Sequence, residues 1–281
     1  MPSRKLLLIF TPLSALSTYL LAPPTMRLFR SLGHVQANFQ GKKIPQGVGI
    51  LFVAASGPWY LLYLAVGPLS RSDRLTLSAL FSAVFALGLL GLADDFFGSA
   101  SARGLKGHLK ALLRGQITTG IIKAAGGLAL AWLISGFYYS TRAEVVVNTL
   151  VLALFTNLLN LLDLRPGRAL KFYLTVAALV ILSTIAKDPP QPALFLLPFT
   201  GAAAGFLPFD LKARAMMGDA GANMLGLSAG ILVTGLLNLK GKFITLILLT
   251  ILHIIADTYS LSRLISHSRT LTLVDNLGRQ E

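Results

Sequence analysis

Long uncharged stretches alternate with short clusters of charge along the whole chain. A helix needs roughly 20 mostly apolar residues to cross a bilayer. By that measure the pattern predicts nine spans, at about 6–24, 47–69, 75–93, 117–139, 145–162, 169–186, 192–208, 220–238 and 243–262. The sixth is short, and the seventh carries Pro192, Pro198 and Pro208. The fourth contains Lys123 near one end, where a lysine can snorkel to the headgroups. The first is too long for a signal peptide, ends in Pro23-Pro24 and lacks a small-residue cleavage site, so it is expected to be a retained helix. No strong internal repeat and no soluble segment stands out. The expected fold is therefore all-α: one polytopic transmembrane domain over residues 1–281, with about nine helices, cytoplasmic active-site loops and an interfacial tail over 263–281.

Composition narrows the class. The chain is 54% hydrophobic and 13% charged, with mean hydropathy +0.70, whereas soluble domains carry roughly a quarter charged residues. There is no Cys, which excludes disulfides, a thiol nucleophile and a Cys-based metal site. The net charge of +14 belongs, in a membrane protein, to loops facing anionic lipid and anionic substrates, and no nucleic-acid partner is expected. Connections after odd-numbered spans, with the tail, hold 16 Lys and Arg against 8 on the other side. By the positive-inside rule the N-terminus is outside and the C-terminus cytoplasmic, in a multi-pass plasma-membrane protein.

The acids with chemical potential then share the cytoplasmic side. In GLADDFFG (91–98), Asp94 and Asp95 end the third span. Acids there oppose the helix dipole, a conflict that a divalent cation removes, although boundary acids also occur without function. In NLLNLLDLRPGRALK (157–171), Asn157, Asn160 and Asp163 recur every third residue and share a broad face of the fifth span. They read either as interhelical hydrogen bonds or as a stripe leading to a substrate pocket, beside the cations Arg165, Arg168 and Lys171. In MMGDAGANMLG (216–226), Asp219 is a helix N-cap, a metal ligand, or both. GLKGHLKALLRG (104–115) spaces Lys106, Lys110 and Arg114 by four, as a basic interfacial helix that anchors on headgroups or touches phosphate. GKKIPQGVGI (41–50) adds Lys43 in a Gly/Pro loop. His253 and Asp257, four apart on the ninth span, suggest an interhelical hydrogen bond more than a proton relay.

Together and in this order, these blocks resemble the polyprenyl-phosphate N-acetylhexosamine-1-phosphate transferases, glycosyltransferase family 4, the family of the phospho-N-acetylmuramoyl-pentapeptide transferase. The matching residues are Asp94-Asp95 after a Gly-Leu turn, Asn157/Asn160/Asp163, Met217-Gly218-Asp219-Ala220-Gly221 and the Pro/Gly block IPQGVGIL, over about residues 38 to 226. The resemblance implies that polyprenyl (undecaprenyl) phosphate attacks the β-phosphorus of a UDP-sugar on the cytoplasmic face, giving polyprenyl-diphospho-sugar and UMP for cell-envelope glycan assembly. It implies Mg²⁺ as cofactor, with Asp94, Asp95 and Asp219 as its ligands, and Asp94, Asp95, Asp163 and Asp219 as catalytic residues. Asn157, Asn160, Arg165, Arg168, Lys43, Lys106 and Lys110 are expected to bind substrate. The implied partners are polyprenyl phosphate, a UDP-sugar, membrane lipid and a second copy of the chain. The alternatives are a catalytically inactive homologue that binds polyprenyl lipid or organises envelope proteins, and a transporter, which would place its acids near the midplane.

Three departures from the family pattern bear on the donor. Pro166 stands where the family has a second acid, His267 stands alone in place of a histidine cluster, and a tenth span is absent. They predict a simple UDP-N-acetylhexosamine donor in place of the muramoyl-pentapeptide nucleotide, with recognition resting on diphosphate charge more than on uracil.

Overall fold

A computed structural model describes residues 2–98, 107, 111–184, 192–259 and 261–279. The expected substrate cations Lys106 and Lys110 lie outside the described residues. The helices are α1 Pro2–Ser31, α2 Leu51–Val66, α3 Arg71–Phe97, α4 Thr119–Tyr138, α5 Arg142–Leu162, α6 Arg168–Thr184, α7 Leu197–Leu211, α8 Gly218–Leu236 and α9 Leu239–Thr258, followed by the short α10 Leu261–Ser266 and α11 Arg269–Asn276. Each of the nine expected runs holds one of α1 to α9. Among the described residues seven segments are long and apolar enough to span a membrane, and α6 and α8 are not among them. The all-α polytopic membrane architecture thus holds, and seven of the nine expected spans meet this measure of length and composition.

The reason for the shortfall at α8 lies in its position. It is the central helix, packed on α3, α5 and α6, and nearly every residue from Ala220 to Leu232 is buried. A helix screened from lipid on all sides need not be apolar; it needs small residues, so that its neighbours' backbones can approach. Gly226 packs directly on the backbone of Phe155 and Thr156 in α5, and Gly91 of α3 on the backbone of Asp219 and Ala220. Likewise, Gly201 and Gly205 of α7 lie on the carbonyls of Thr11 and Ala15 in α1. The peripheral α9 is the opposite case. It exposes Phe243, Ile244, Ile247, Leu248, Ile251 and Ile254, a surface suited to lipid.

The sequence reading expects no strand, but a small antiparallel hairpin joins α1 to α2. Its strands are β1 Val35–Ala37 and β2 Lys43–Pro45, in the register Val35↔Pro45 and Ala37↔Lys43. Asn38 Oδ1 closes the turn by accepting from the Gln40 and Lys42 N–H groups. The hairpin then continues onto the segment before α8: Met216 N donates to Pro45 O, Val48 N to Met216 O and Gly49 N to Met217 O. Three-residue strands carry too little alternation to be read from sequence.

Several helices start on their own capping side chains. Ser70 forms a capping box with Asp73, while Thr118, Thr141 and Asn238 each accept from an N–H of their first turn. The residue before α8, Met217, supplies no cap. What caps α8 is part of the site.

The ends of α3, α5 and α7 and the starts of α4 and α8 lie at one end of the bundle, as their hydrogen bonds show. The C-terminal tail joins this end through Arg279, which bonds Pro166 O, so reporter enzymes active on only one side of the membrane, fused after Gly98 and at the C-terminal end, are expected to report the same side, which the excess of Lys and Arg predicts to be the cytoplasm. Opposite sides for the two fusions would break this arrangement.

Candidate active site

Asp94 and Asp95 occupy the last turn of α3 and point to different partners. Asp94 accepts a hydrogen bond from Thr119 Oγ1 at the start of α4. Its other oxygen lies 2.6 Å from Lys123 Nζ, one turn further along α4. The same Nζ lies 2.6 Å from Asp219 Oδ2 in the first turn of α8. One lysine thus joins two carboxylates from two other helices, and all three side chains are partly buried. Two carboxylates share one ammonium, so the loss of either acid still leaves Lys123 a partner, whereas the loss of Lys123 leaves both carboxylates without their cation.

Asp95 is the missing cap of α8. Its Oδ1 accepts from Asp219 N at 3.0 Å and its Oδ2 from Ala220 N at 3.0 Å. Gln46 Nε2, from the Pro/Gly block, donates to Oδ1 at 2.8 Å. The positive end of the α8 dipole favours the carboxylate further. Local glycines permit this reach. Gly91 lets α3 touch α8, and Gly218, at φ +67°, presses its Cα side against both Asp95 oxygens, where a Cβ would collide. The expectation that Asp219 caps α8 gives way to Asp95 as the cap, with Asp219 free to turn toward Lys123. Because an amide cannot accept from two N–H groups with both of its ends, Asp95→Asn is expected to destabilise the protein by about 1–2 kcal/mol. Asp94→Asn, which keeps the cap, should melt closer to wild type in thermal unfolding in detergent.

The remaining expected residues divide. Asp163 follows α5, and burial, then repulsion from Asp210, Asp219 and Asp95, pushes its carboxyl well above the ordinary carboxylate range. Buried Asp210 accepts from Gly167 N at 2.8 Å and pins the turn after Asp163. Asn160 Nδ2 donates to Asn223 Oδ1 on α8, while Asn160 Oδ1 and Asn223 Nδ2 stay buried without a partner. Asn157 is exposed and does not share that face. Three helical residues turn the direction by about 300°, enough to carry a side chain past the edge of the buried stripe. Lys43 is exposed on the hairpin, and the Arg165 guanidinium stacks 4.8 Å from the Phe39 ring centroid at the hairpin tip.

Arg168, expected at the substrate, is buried and holds Asp275 in a bidentate pair, both bonds 2.8 Å. Burial raises the Asp275 carboxyl, but Arg168 and Arg279 outweigh it and bring it down to about 2. With a folded value below the ordinary 3.8, this pair contributes stability above pH 4 or so and loses it only as pH falls toward 2.

The three-aspartate metal centre is not assembled in this arrangement. Among the described residues no group of three or more His, Cys, Asp or Glu side chains could hold an ion. Asp95 is committed to α8, and Lys123 Nζ stands between the other two carboxylates. Even so, the donor set fits a magnesium ion completed by substrate. Asp94 and Asp219 present two carboxylates on one side, and Mg²⁺ characteristically takes one or two carboxylates with phosphate oxygens and water. Sequence reasoning missed Lys123, although it is the only charged residue between Thr119 and Tyr138, and an ionisable residue inside a span is the signal that marks a functional site.

Four acids, Asp94, Asp95, Asp163 and Asp219, gather with Lys123 at one end of a bundle of long apolar helices, the architecture of a polytopic membrane protein. The family model described as glycosyl transferase family 4 matches residues 77–237, a stretch that carries every member of this cluster from Asp94 to Asp219. The chain belongs to glycosyl transferase family 4, a family of phospho-sugar transferases. A curated relative, the phospho-N-acetylmuramoyl-pentapeptide-transferase of Limosilactobacillus fermentum (strain NBRC 3956 / LMG 18251), is 28% identical over 228 residues, covering 76% of this chain and 69% of the relative.

Proposed function

We propose that the protein transfers a sugar-1-phosphate from a UDP-N-acetylhexosamine to polyprenyl phosphate, on the cytoplasmic face of the plasma membrane, for cell-envelope glycan assembly. The observation that carries this reading is the Asp94–Lys123–Asp219 junction, built from α3, α4 and α8 at one bundle end. A lipid phosphate oxygen attacks the donor's β-phosphorus, the bond from that phosphorus to the bridging oxygen breaks, and UMP leaves with the electron pair. No base is required, since a phosphate monoester with a second pKa near 6 is already largely ionised at neutral pH. Lys123 offsets charge on the diphosphate, and Thr119 holds Asp94 in orientation. Asp95 fixes the first turn of α8, and thereby Asp219. Asp94 and Asp219 would hold Mg²⁺, which when bound supplies Lewis-acid stabilisation of the developing phosphate charge. Asp163, Asn160, Arg165 and Lys43 line the nucleotide side.

The inactive-homologue reading is not favoured, because Asp94, Asp95 and Asp219 are all present and mutually positioned. The donor follows from Pro166, which removes an acid beside Asp163 and leaves Arg165 to address phosphate. Competition between labelled UDP-N-acetylhexosamine and the UDP-muramoyl-pentapeptide, with undecaprenyl phosphate and Mg²⁺ in detergent, tests it. Preference for the simple donor is expected. A clear preference for the pentapeptide nucleotide, the donor class that the relative's name suggests, would overturn the donor assignment.

A further inference from the structure

The turn from Asp163 to Arg168 is held from two directions. On the inner side Asp210 takes the Gly167 N–H. On the outer side stands the C-terminal segment. Arg279 donates through Nε and Nη2 to Pro166 O, at 3.2 and 3.1 Å. Pro166 has no N–H, so that carbonyl is its sole hydrogen-bonding group, and Arg279 grips it with two bonds. Arg279 is in turn held by Asp275, at 3.1 and 3.3 Å. Asp275 receives both arms of Arg168, whose Nη1 also reaches Ser262 Oγ at 3.2 Å. Lys171 Nζ donates to the carbonyls of Val274, Asp275 and Leu277 just where α11 ends. Three cations therefore converge on one carboxylate and one helix end. Two of them, Arg168 and Lys171, are those the sequence places beside substrate.

The far wall of the same turn faces the hairpin. Asp163, Arg165 and Pro166 line a cavity of about 30 Å³ together with Asn38, Phe39 and Asp210. So small a space holds about one water. Its shape depends on where the turn sits, and the turn sits where Asp210 and Arg279 hold it.

We infer that residues 261–279 form a brace for the α5–α6 turn, in which Asp275 is a positioning residue that acts through Arg279 and Arg168 to set Asp163 and Arg165 for the donor nucleotide. The inference rests on the proposed donor reaction for its kinetic part, and not for its structural part. It also gives the departure at Pro166 a partner: the chain has lost an acid there and gains a carbonyl clamped by its own tail.

The absence of Cys makes the test direct. Leu164, on the turn, and Leu273, on α11, are both exposed and accept spin labels after substitution by Cys. The distance between labels is expected to be narrowly distributed in the otherwise wild-type chain and broad in Asp275→Asn and in Arg279→Gln. The second variant leaves the buried Arg168–Asp275 pair intact and guards against a simple folding failure. In unlabelled protein each variant should raise KM for the UDP-sugar about tenfold, with KM for polyprenyl phosphate and kcat within about twofold. Asp275→Glu should recover part of the loss, and the Asp275→Asn/Arg279→Gln double variant should be no worse than the worse single. A broadened distribution with both KM values unchanged would show a mere anchor and overturn the inference, as would a distribution that stays narrow. If the unaltered protein transfers no sugar-phosphate, the proposed reaction fails while the distance measurement still decides the brace.

Discussion

Replacing Asp219 with Asn is expected to cut turnover by about 10²–10³-fold while leaving the protein folded, the loss of roughly 3–4 kcal/mol of transition-state stabilisation. The side chain keeps its volume, and its backbone N–H still bonds Asp95. What disappears is the negative charge 2.6 Å from Lys123, and with it one of the two carboxylates facing the metal position. Asp94→Asn should behave alike, because Asp94 makes the symmetrical contact with the same Nζ. Initial rates with saturating donor, taken beside thermal unfolding in detergent, separate lost chemistry from lost fold. Near-normal turnover in a folded Asp219→Asn protein would remove this residue from the reaction centre.

A large structural effect is expected at Gly226. A β-carbon there would meet the Thr156 Cα directly and the Phe155 carbonyl oxygen at 2.6 Å, both of them backbone atoms that cannot step aside. Overpacking of this kind costs about 1–3 kcal/mol and sometimes more. Gly226→Val adds an isopropyl group, three carbons, at the junction of α5 and α8, within a turn of the Asn160–Asn223 bond. Loss of folded yield, or a strong drop in melting temperature, is the expected outcome. Gly136→Ala is the control: nothing lies within 4 Å of its would-be Cβ, so its melting should stay close to wild type. A Gly226→Val protein as stable as the control would contradict the close helix contact that positions the site.

Much of the bundle was legible because lipid-facing helices must be apolar along most of their length, as α3, α5 and α9 are. The central α8 was legible as an element even though its hydropathy falls short of a lipid-facing span, since its Gly- and Ala-rich composition answers to packing and not to lipid. The motif acids were legible as a group on one side. Their division of labour was not. Asp94 and Asp95 are chemically identical neighbours, and only the approach of a helix start 124 residues later turns one into a cap and the other toward Lys123. Lys123 carried a readable signal, a lone charge in an apolar run, which snorkelling explained too easily. The hairpin was too short to show a period. The tail showed its charges but not their partners, because Arg168 and Asp275 are 107 residues apart and nothing local couples them.

The central claim is that a phosphorus–oxygen bond of the donor breaks and the sugar leaves with its phosphate. Two preparations of UDP-N-acetylhexosamine, radiolabelled at either the α- or the β-phosphorus, test it most directly with undecaprenyl phosphate and Mg²⁺. The β-label is expected in the lipid fraction and the α-label in UMP, in equal amounts and on the same time course. Label from neither donor in lipid, or β-label released as free phosphate or sugar phosphate with the lipid unlabelled, would contradict the account.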